Sequence, residues 1–371
     1  MILSSLSLKN FRSHTKTDIN FSPNLNYIVG GNGQGKTSIL ESIYYLCTTK
    51  SNNSKSDGES VKFFEKNFEI EGVVKDLSIN QIRIFYLLDD NKKNYFLNGK
   101  LITKPADVIG KFPVVILTPS DHSITQGSPG ERRRFVDSVI SQASETYLKT
   151  LLDYNKTLRQ RASLLMQIKE NKTKSIMDEL ESWTLKLVNS GKEIIAHRHS
   201  FIVKFNDYIK DSFNVILNND ELPETEYFFL EGLKQFDNIE NNFFEQLKKK
   251  KEQELRRAVN LVGPHRDDFI FKINNIDLKT YGSQGQHKTF QVVLRFAQFF
   301  YLKEVTGKTP IFLLDDVFGE LDAKRSDRIS QYLRQVGQAF ITLTDFANFS
   351  FLTRETSDTV IKINNGQILY A

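Results

Sequence analysis

Residues 27–38 read Tyr27-Ile28-Val29-Gly30-Gly31-Asn32-Gly33-Gln34-Gly35-Lys36-Thr37-Ser38. An apolar run from Leu25 to Val29 stops at a glycine. Gly35-Lys36-Thr37 then opens a segment whose apolar residues, Ile39, Leu40, Ile43 and Leu46, fall at helical spacing. Strand, glycine loop and helix in that order make G-x-x-x-x-G-K-[ST] a P-loop rather than a glycine-rich turn with an incidental lysine. The loop's N–H groups point inward, and the helix start adds partial positive charge. In such a cradle, running from Gly30 through Ser38, Lys36 reaches the β- and γ-phosphates of a nucleotide and the Thr37 hydroxyl takes Mg²⁺.

A P-loop needs a metal-side carboxylate at the end of a neighbouring strand. Ile311-Phe312-Leu313-Leu314-Asp315-Asp316 supplies four apolar residues that deliver two aspartates to a strand's C-terminal edge. Asp315 is placed to bind Mg²⁺ and Asp316 to orient an attacking water.

The rest of the chain bounds what surrounds this pair. Its 371 residues are enough for two domains, and 39% hydrophobic with 26% charged residues is a globular balance. No run approaches the roughly 18 apolar residues of a membrane span. The first residues, Met1 to Leu6, lack the basic region and apolar core of a signal peptide, so a cytoplasmic location is expected. The single cysteine, Cys47, excludes an intrachain disulfide framework and a cysteine zinc site. A net charge of +5 is compatible with nucleic acid without identifying it. Arg132-Arg133-Arg134, Lys248 to Lys251 and Arg256-Arg257 are the basic clusters, each, taken alone, more often a solvated helix face than a phosphate site.

Alternation around Leu6 and Leu8, Ile19 and Phe21, and Leu25 to Val29 predicts three strands ahead of the loop, with a loop at 10–14. Ser51 to Gly58 reads as an exposed, mobile connection. Antiparallel strands are expected around Phe68 to Val74, Ile82 to Tyr86 and Tyr95 to Leu97, and a buried strand at Val114 to Leu117. From Glu131 to about Asn218 there is one glycine, Gly191, and no proline. Trp183, Leu187, Gly191, Ile194, Arg198, Phe201 and Phe205 mark one face of a long helix, with Gly191 allowing close packing. A strand is expected at Tyr227 to Leu230, a helix at 241–257, a hairpin turn at Asn274-Asn275 and a helix from Gln286 to Val305. No internal repeat is present. The pattern is α/β, with an ATPase part at 1–125 and 258–371 and a mainly helical subdomain at 126–257.

Tyr281-Gly282-Ser283-Gln284-Gly285-Gln286 precedes the Asp315 strand, and Gly319-Glu320-Leu321-Asp322 follows it. Ser-x-Gly-Gln, an apolar strand ending in Asp, then Leu-Asp, resembles the signature, Walker B and D-loop of ATP-binding-cassette ATPases. Asn10-Phe11-Arg12-Ser13, Gly127-Ser128-Pro129 with Arg132-Arg133 and Phe135-Val136-Asp137, Gly263-Pro264-His265-Arg266-Asp267-Asp268 and Phe340-Ile341-Thr342-Leu343-Thr344-Asp345 extend the match. Together they are similar, in order along nearly the whole chain, to the RecF family of bacterial DNA replication and repair proteins.

That resemblance implies an ABC/SMC-type ATPase head with mixed sheets around the P-loop core. It also implies ATP-dependent homodimerisation, slow ATP hydrolysis used as a switch, and binding to single-stranded, gapped and double-stranded DNA. Work with RecO and RecR in loading RecA, and support of the SOS response, are implied too. Ser283, with Gly285 and Gln286, would cap the γ-phosphate held by the opposite subunit, and Arg12 would touch phosphate from its own subunit. Thr118-Pro119-Ser120-Asp121 stands where transporters carry a Q-loop glutamine, Asp316 where the catalytic residue is usually glutamate, and Thr344 where a switch histidine often sits. A transporter ATPase subunit and an SMC-like structural ATPase are the alternatives; the first needs a membrane partner and the second long heptad arms, which are absent.

Overall fold

The computed structural model describes residues 1–217, 221–230, 236–320, 323–345 and 355–370. They form two compact units, the first from 1–122, 211–220 and 284–371 and the second from 123–210 and 221–283. The second unit therefore takes in 258–283, a stretch the sequence pattern assigns to the ATPase part. The reason is strand pairing, as described below.

The first unit begins with β1 (Ile2–Phe11), β2 (His14–Asn20), β3 (Leu25–Val29) and α1 (Lys36–Thr48). Then come β4 (Asn67–Lys75), β5 (Ile79–Leu87), β6 (Lys92–Leu97), β7 (Lys100–Ile102) and β8 (Val114–Leu117). The hairpin between β1 and β2 needs only Arg12 and Ser13, because Phe11 pairs with His14; the longer expected loop is strand instead. A six-stranded antiparallel sheet runs β2-β1-β4-β5-β6-β7. β3 is not in it.

The second unit holds α2 (His122–Gln126) in part, α3 (Pro129–Ala143), α4 (Glu145–Glu170), most of α5 (Lys174–Leu217), β9 (Pro223–Phe228) and α6 (Ile239–Arg257). β10 (Asp268–Ile273), β11 (Ile276–Asp277) and α7 (Leu278–Tyr281) complete it. β10 pairs antiparallel with β9 from Asp268↔Phe228 to Ile273↔Pro223, which ties 258–283 to this unit. The β10–β11 turn is Asn274-Asn275, both at positive φ (52° and 64°), a backbone that asparagine tolerates better than most residues. On α5, Gly191 faces Phe243 of α6 so closely that a Cβ would lie 2.6 Å from the ring, the close packing expected of it.

The chain returns to the first unit through α8 (Gln284–Thr306), β12 (Ile311–Leu314), α9 (Ala323–Leu333), β13 (Ala339–Leu343), β14 (Thr359–Asn364) and β15 (Gln367–Tyr370). These strands join β3 in a second six-stranded sheet, β15-β14-β3-β13-β12-β8. It is parallel from β14 to β8, and only the edge strand β15 is antiparallel. Strands of a parallel sheet covered on both faces read as continuous apolar runs. β3, β8, β12 and β13 are accordingly buried at every position. α1 lies between the two sheets, packing on β1, β4 and β5 on one side and β8 and β13 on the other. Ile39, Leu40, Ile43 and Leu46 join Leu6, Phe68, Ile84, Ile116 and Leu313 in one core. α8 packs on β8, and its Phe296 meets Phe312 of β12 edge-to-face at 5.0 Å.

Candidate nucleotide site

The parallel sheet aims the C-terminal ends of β3, β12 and β13 at one edge, where open α/β sheets bind ligands. The residue that follows β3 has no room for a side chain: a Cβ on Gly30 would lie 2.6 Å from the carbonyl oxygen of Ile363. The loop closes at Gly35, whose φ of +101° is glycine territory. There a Cβ would meet Ser13 Oγ at 2.6 Å and His14 Nε2 at 2.8 Å. Asn32, Gly33, Gln34, Gly35, Lys36, Thr37 and Ser38 line a cleft of about 730 Å³, within the usual range for small-molecule sites.

Lys36, the first residue of α1, folds back over the loop. Its ammonium donates to the carbonyls of Gly30 at 2.6 Å and Gly31 at 2.9 Å. Burial pushes its pKa down, against the pull of Asp316 and Asp315. A buried ammonium resting on neutral carbonyls is a cation ready to exchange them for phosphate oxygens.

Asp315 follows β12, its N–H donating to Leu117 O at 2.9 Å. Its Oδ1 accepts from Thr37 Oγ1 and from Thr342 Oγ1, both at 2.9 Å. Burial pushes the Asp315 pKa up, while those two hydroxyls pull it down. Asp316 is exposed, with its backbone at φ +51°, and its N–H donates to Thr342 Oγ1 at 2.8 Å. One hydroxyl thus sets both aspartates. The sequence motifs give Thr342 no role in the site, although a lone threonine in the buried run Ala339-Phe340-Ile341-Thr342-Leu343 is a visible signal.

Thr37 and Asp315 offer two adjacent hard oxygen ligands, the donor type Mg²⁺ takes when substrate phosphates and water complete its shell. Among the described residues no group of three or more His, Cys, Asp or Glu is gathered that could hold a metal ion unaided.

Arg12 lines the cleft, but its guanidinium is turned to buried Glu41 of α1, with Nη2 at 2.7 Å and Nε at 3.0 Å, and to Glu59 O at 2.7 Å. Ser51 Oγ also donates to Glu41, at 2.5 Å, and Ser54 hydrogen-bonds Arg12. The stretch expected to be a mobile connection is therefore tied down by side-chain hydroxyls. Ser283, Gly285 and Gln286 are not among the residues lining the cleft. Ser283 is exposed just ahead of α8, and Gly285 O accepts from Thr289 Oγ1 at 2.9 Å. Leu321-Asp322 lies outside the described residues.

A brace behind the loop has no sequence motif. Buried His14 sits with Nε2 at 3.1 Å from Gly35 O and Nδ1 at 3.1 Å from Gly366 O. Gly366 N donates to Gln34 O at 3.0 Å, and Asn365 N donates to the Gln34 side chain. The β14–β15 turn is thereby fastened to the phosphate loop.

In the second unit, the Arg132 cluster is largely consumed by structure. Arg132 makes a two-pronged ion pair with Asp268 (2.7 and 2.8 Å), Arg133 donates to Asp267 O at 2.6 Å and Arg134 pairs with Glu131 at 2.7 Å. On α6, Lys248, Lys249 and Lys251 are exposed.

A P-loop whose strand lies in a mainly parallel sheet and whose helix packs between that sheet and an antiparallel one is the ATPase head of the ABC/SMC class. The family model described as the RecF/RecN/SMC N terminal domain matches residues 2–365. The chain belongs to this family and, within it, to the RecF family of DNA replication and repair proteins. It is 40% identical over 371 residues to the DNA replication and repair protein RecF of Chloroherpeton thalassium, covering 97% of this chain and 100% of that one. To the RecF of Salinibacter ruber it is 38% identical over 351 residues, 93% of this chain and 85% of that one. Two solved structures of the recombination mediator protein RecF in the RecFOR pathway are similar throughout. RecF-ATP gives a TM-score of 0.89 at 32% identity, covering 100% of this chain and 97% of that one. RecF-ATPrS gives 0.86 at 32% identity, covering 99% and 97%. An Smc head domain from Pyrococcus furiosus, at 15% identity and TM-score 0.57 over 99% of this chain and 94% of that one, shares the fold. Among the described residues no helix is long and apolar enough to cross a membrane.

Proposed function

We propose that this protein is an ATP-driven switch that acts on DNA in recombinational repair and replication. ATP binds between the P-loop and the Asp315 strand, two copies close on it, and slow hydrolysis resets them. The observation that carries this reading is the meeting of Thr37, Asp315 and Thr342 at 2.9 Å beside the Lys36 ammonium, the two halves of a phosphate site brought together from 278 residues apart. Lys36 would hold the β- and γ-phosphates, and Asp316 would orient water. Thr37 and Asp315 would hold Mg²⁺, which when bound would neutralise charge on the phosphate oxygens. Ser283, Gly285 and Gln286 of a second copy would complete the pocket. For Arg12, phosphate contact would require its guanidinium to leave Glu41 in part. It has five N–H donors, so one can turn to a phosphate while others keep the pair.

The similarity to RecF over the full length, and the solved relatives whose names carry ATP and the RecFOR pathway, support work with RecR and RecO, and through them RecA, on gapped DNA. Support of the SOS response follows from the same role, and such a protein would work in the cytoplasm. Calorimetric titration with ATP and Mg²⁺ tests the nucleotide site. Lys36→Ala is expected to abolish tight binding while leaving the fold intact, since the hydrogen bonds its ammonium makes are those to the Gly30 and Gly31 carbonyls of the loop. A folded Lys36→Ala protein with unchanged affinity would remove the P-loop from the mechanism. Retention on gapped DNA with and without ATP tests the rest.

A further inference from the structure

β13 is buried at every position, and Thr342 is its one residue with a polar side chain. Valine would fill much the same space, and a buried hydroxyl costs free energy unless it is bonded. This hydroxyl, on a residue 1% exposed, is bonded twice. The direction of both bonds is fixed. The Asp316 N–H can only donate, so Thr342 Oγ1 accepts it, at 2.8 Å. The single proton of the hydroxyl is left for Asp315 Oδ1, at 2.9 Å. A chain of hydrogen bonds thus runs from the Asp316 backbone through Thr342 to the Asp315 carboxylate. Its two ends do different things. At Asp315, Thr342 and Thr37 both donate to Oδ1, and among the described residues no side chain donates to Oδ2, which leaves that oxygen for a cation or its water. At Asp316, the bond holds a residue other than glycine at φ +51°, a left-handed position that aspartate tolerates only singly. That turn sets where the exposed carboxylate departs from the strand end.

We propose that Thr342 is a positioning residue for ATP hydrolysis, its hydroxyl orienting the Asp315 carboxylate for Mg²⁺ and the Asp316 turn for the attacking water. This rests on the phosphate-site reading above and adds to it a residue that acts through the two aspartates rather than on the nucleotide. The consequence is a linked defect. Losing this one hydroxyl frees the Asp315 carboxylate to rotate and leaves the Asp316 N–H without its acceptor, so metal affinity and turnover fall together. A threonine that merely satisfied its own hydroxyl inside the sheet would affect neither.

The test compares Thr342→Val, which keeps the shape and loses the hydroxyl, with Thr342→Ser, which keeps the hydroxyl. Thermal melting checks that each full-length variant is folded, and Thr342→Ala, which also lacks the hydroxyl, takes the same measurements should the valine variant not fold. Calorimetry with ATP and no divalent cation is expected to give wild-type affinity in all, because Lys36 and the loop are untouched. Titration of Mg²⁺ into the ATP-loaded protein should show about tenfold weaker binding in Thr342→Val and wild-type binding in Thr342→Ser, the usual effect of a residue that orients a metal ligand. At saturating Mg²⁺, single-turnover hydrolysis in Thr342→Val should still be slowed about tenfold, since the Asp316 turn has lost its acceptor. Wild-type Mg²⁺ affinity in the folded variant without the hydroxyl overturns the proposal, and so does full recovery of turnover by excess Mg²⁺. An equal loss in Thr342→Ser also overturns it, by making the effect one of packing. Failure of the wild type to bind ATP overturns the phosphate-site reading itself, and the role of Thr342 with it.

Discussion

His14 Nε2 lies 3.1 Å from the carbonyl oxygen of Gly35, so a residue in the first hairpin holds the last glycine of the phosphate loop. A carbonyl can only accept, so the neutral ring, with one N–H, donates either to the Gly35 carbonyl or to the Gly366 carbonyl 3.1 Å from Nδ1. Nδ1 lies 2.9 Å from Thr17 Oγ1, and the Thr17 hydroxyl donates to Gly366 O at 2.9 Å. Burial pushes the His14 pKa down, opposed by the Gly35 and Gly366 carbonyls. Two hairpins distant in sequence thus brace the loop, beside the Lys36 ammonium that bonds the Gly30 and Gly31 carbonyls from within it.

Removing that brace should loosen the loop without emptying the cleft. His14→Ala is expected to weaken nucleotide binding about tenfold, roughly the cost of a lost buried hydrogen bond. Gly35→Ala should do worse. Its Cβ would press on Ser13 and His14 at 2.6 and 2.8 Å in a backbone that alanine rarely adopts. A stability loss of about 2 kcal/mol in urea unfolding is expected for Gly35→Ala. Wild-type nucleotide affinity in His14→Ala would show that the loop holds its shape alone.

How much of this was legible in the sequence differs from part to part. The strand–glycine–helix passage at Leu25 to Leu46 and the apolar run before Asp315 are local patterns, and both fall where the spacing puts them. So do the Asn274-Asn275 turn and the face of α5 that carries Gly191. Alternation, however, tells which face a strand buries and not which strand it pairs with. Hence β1 and β2 give no hint that they leave β3 for another sheet, nor β10 that it takes β9 as its partner. The Arg12–Glu41 pair, the His14 brace and Thr342's bond to Asp315 join residues 29, 21 and 27 positions apart across separate elements. Contacts of that kind leave no periodic trace.

Acid should unsettle the second unit through His265. Its Nε2–H donates to Asn260 O at 3.2 Å, and its Nδ1 accepts from Tyr154 Oη at 2.7 Å, an arrangement made for the neutral ring. Burial, chiefly, with Arg266, Arg133 and Arg161 nearby, pushes its pKa down to about 4. The folded value lies below the unfolded one near 6.5, so the stability it contributes is full above that value. It is lost as pH falls towards about 4, up to roughly 3 kcal/mol. Urea midpoints between pH 7 and 4 should therefore fall more steeply in wild type than in His265→Gln. Parallel slopes would mean that His265 is not the responsible group.

On DNA, the two basic clusters should behave differently. Lys248 and Lys249 are exposed, whereas Arg132 is locked to Asp268. If α6 touches phosphate, Lys248→Ala and Lys249→Ala should each reduce the log–log salt slope of binding by about one. Arg132→Ala should instead destabilise the protein, by about 3 kcal/mol, because it leaves Asp268 half-buried without its partner. Fluorescence anisotropy with a labelled gapped duplex over a salt series reads the first effect, and thermal melting reads the second. Unchanged slopes in both lysine variants would make α6 a solvated face.

Self-association on ATP separates a switch from a monomeric ATPase. If two copies share each nucleotide, the P-loop of one and Ser283 of the other meet across the γ-phosphate. Ser283 is exposed ahead of α8, so Ser283→Arg adds a long cation without disturbing a core. Each monomer should still bind ATP through Gly30 to Thr37, but the dimer should not form and hydrolysis should drop to background. Asp316→Asn should do the reverse. Asparagine suits the φ of +51° at this position, and the N–H bond to Thr342 is kept, so the site stays in shape. What is lost is the carboxylate that orients water. ATP-bound dimers of Asp316→Asn should then persist, with turnover slowed at least a hundredfold, about what a positioned acid–base group contributes. Sedimentation velocity with ATP, ADP and no nucleotide distinguishes the two variants. A Ser283→Arg protein that dimerises as wild type does would rule out the shared site, and Asp316→Asn dimers that dissociate at the wild-type rate would take Asp316 out of hydrolysis.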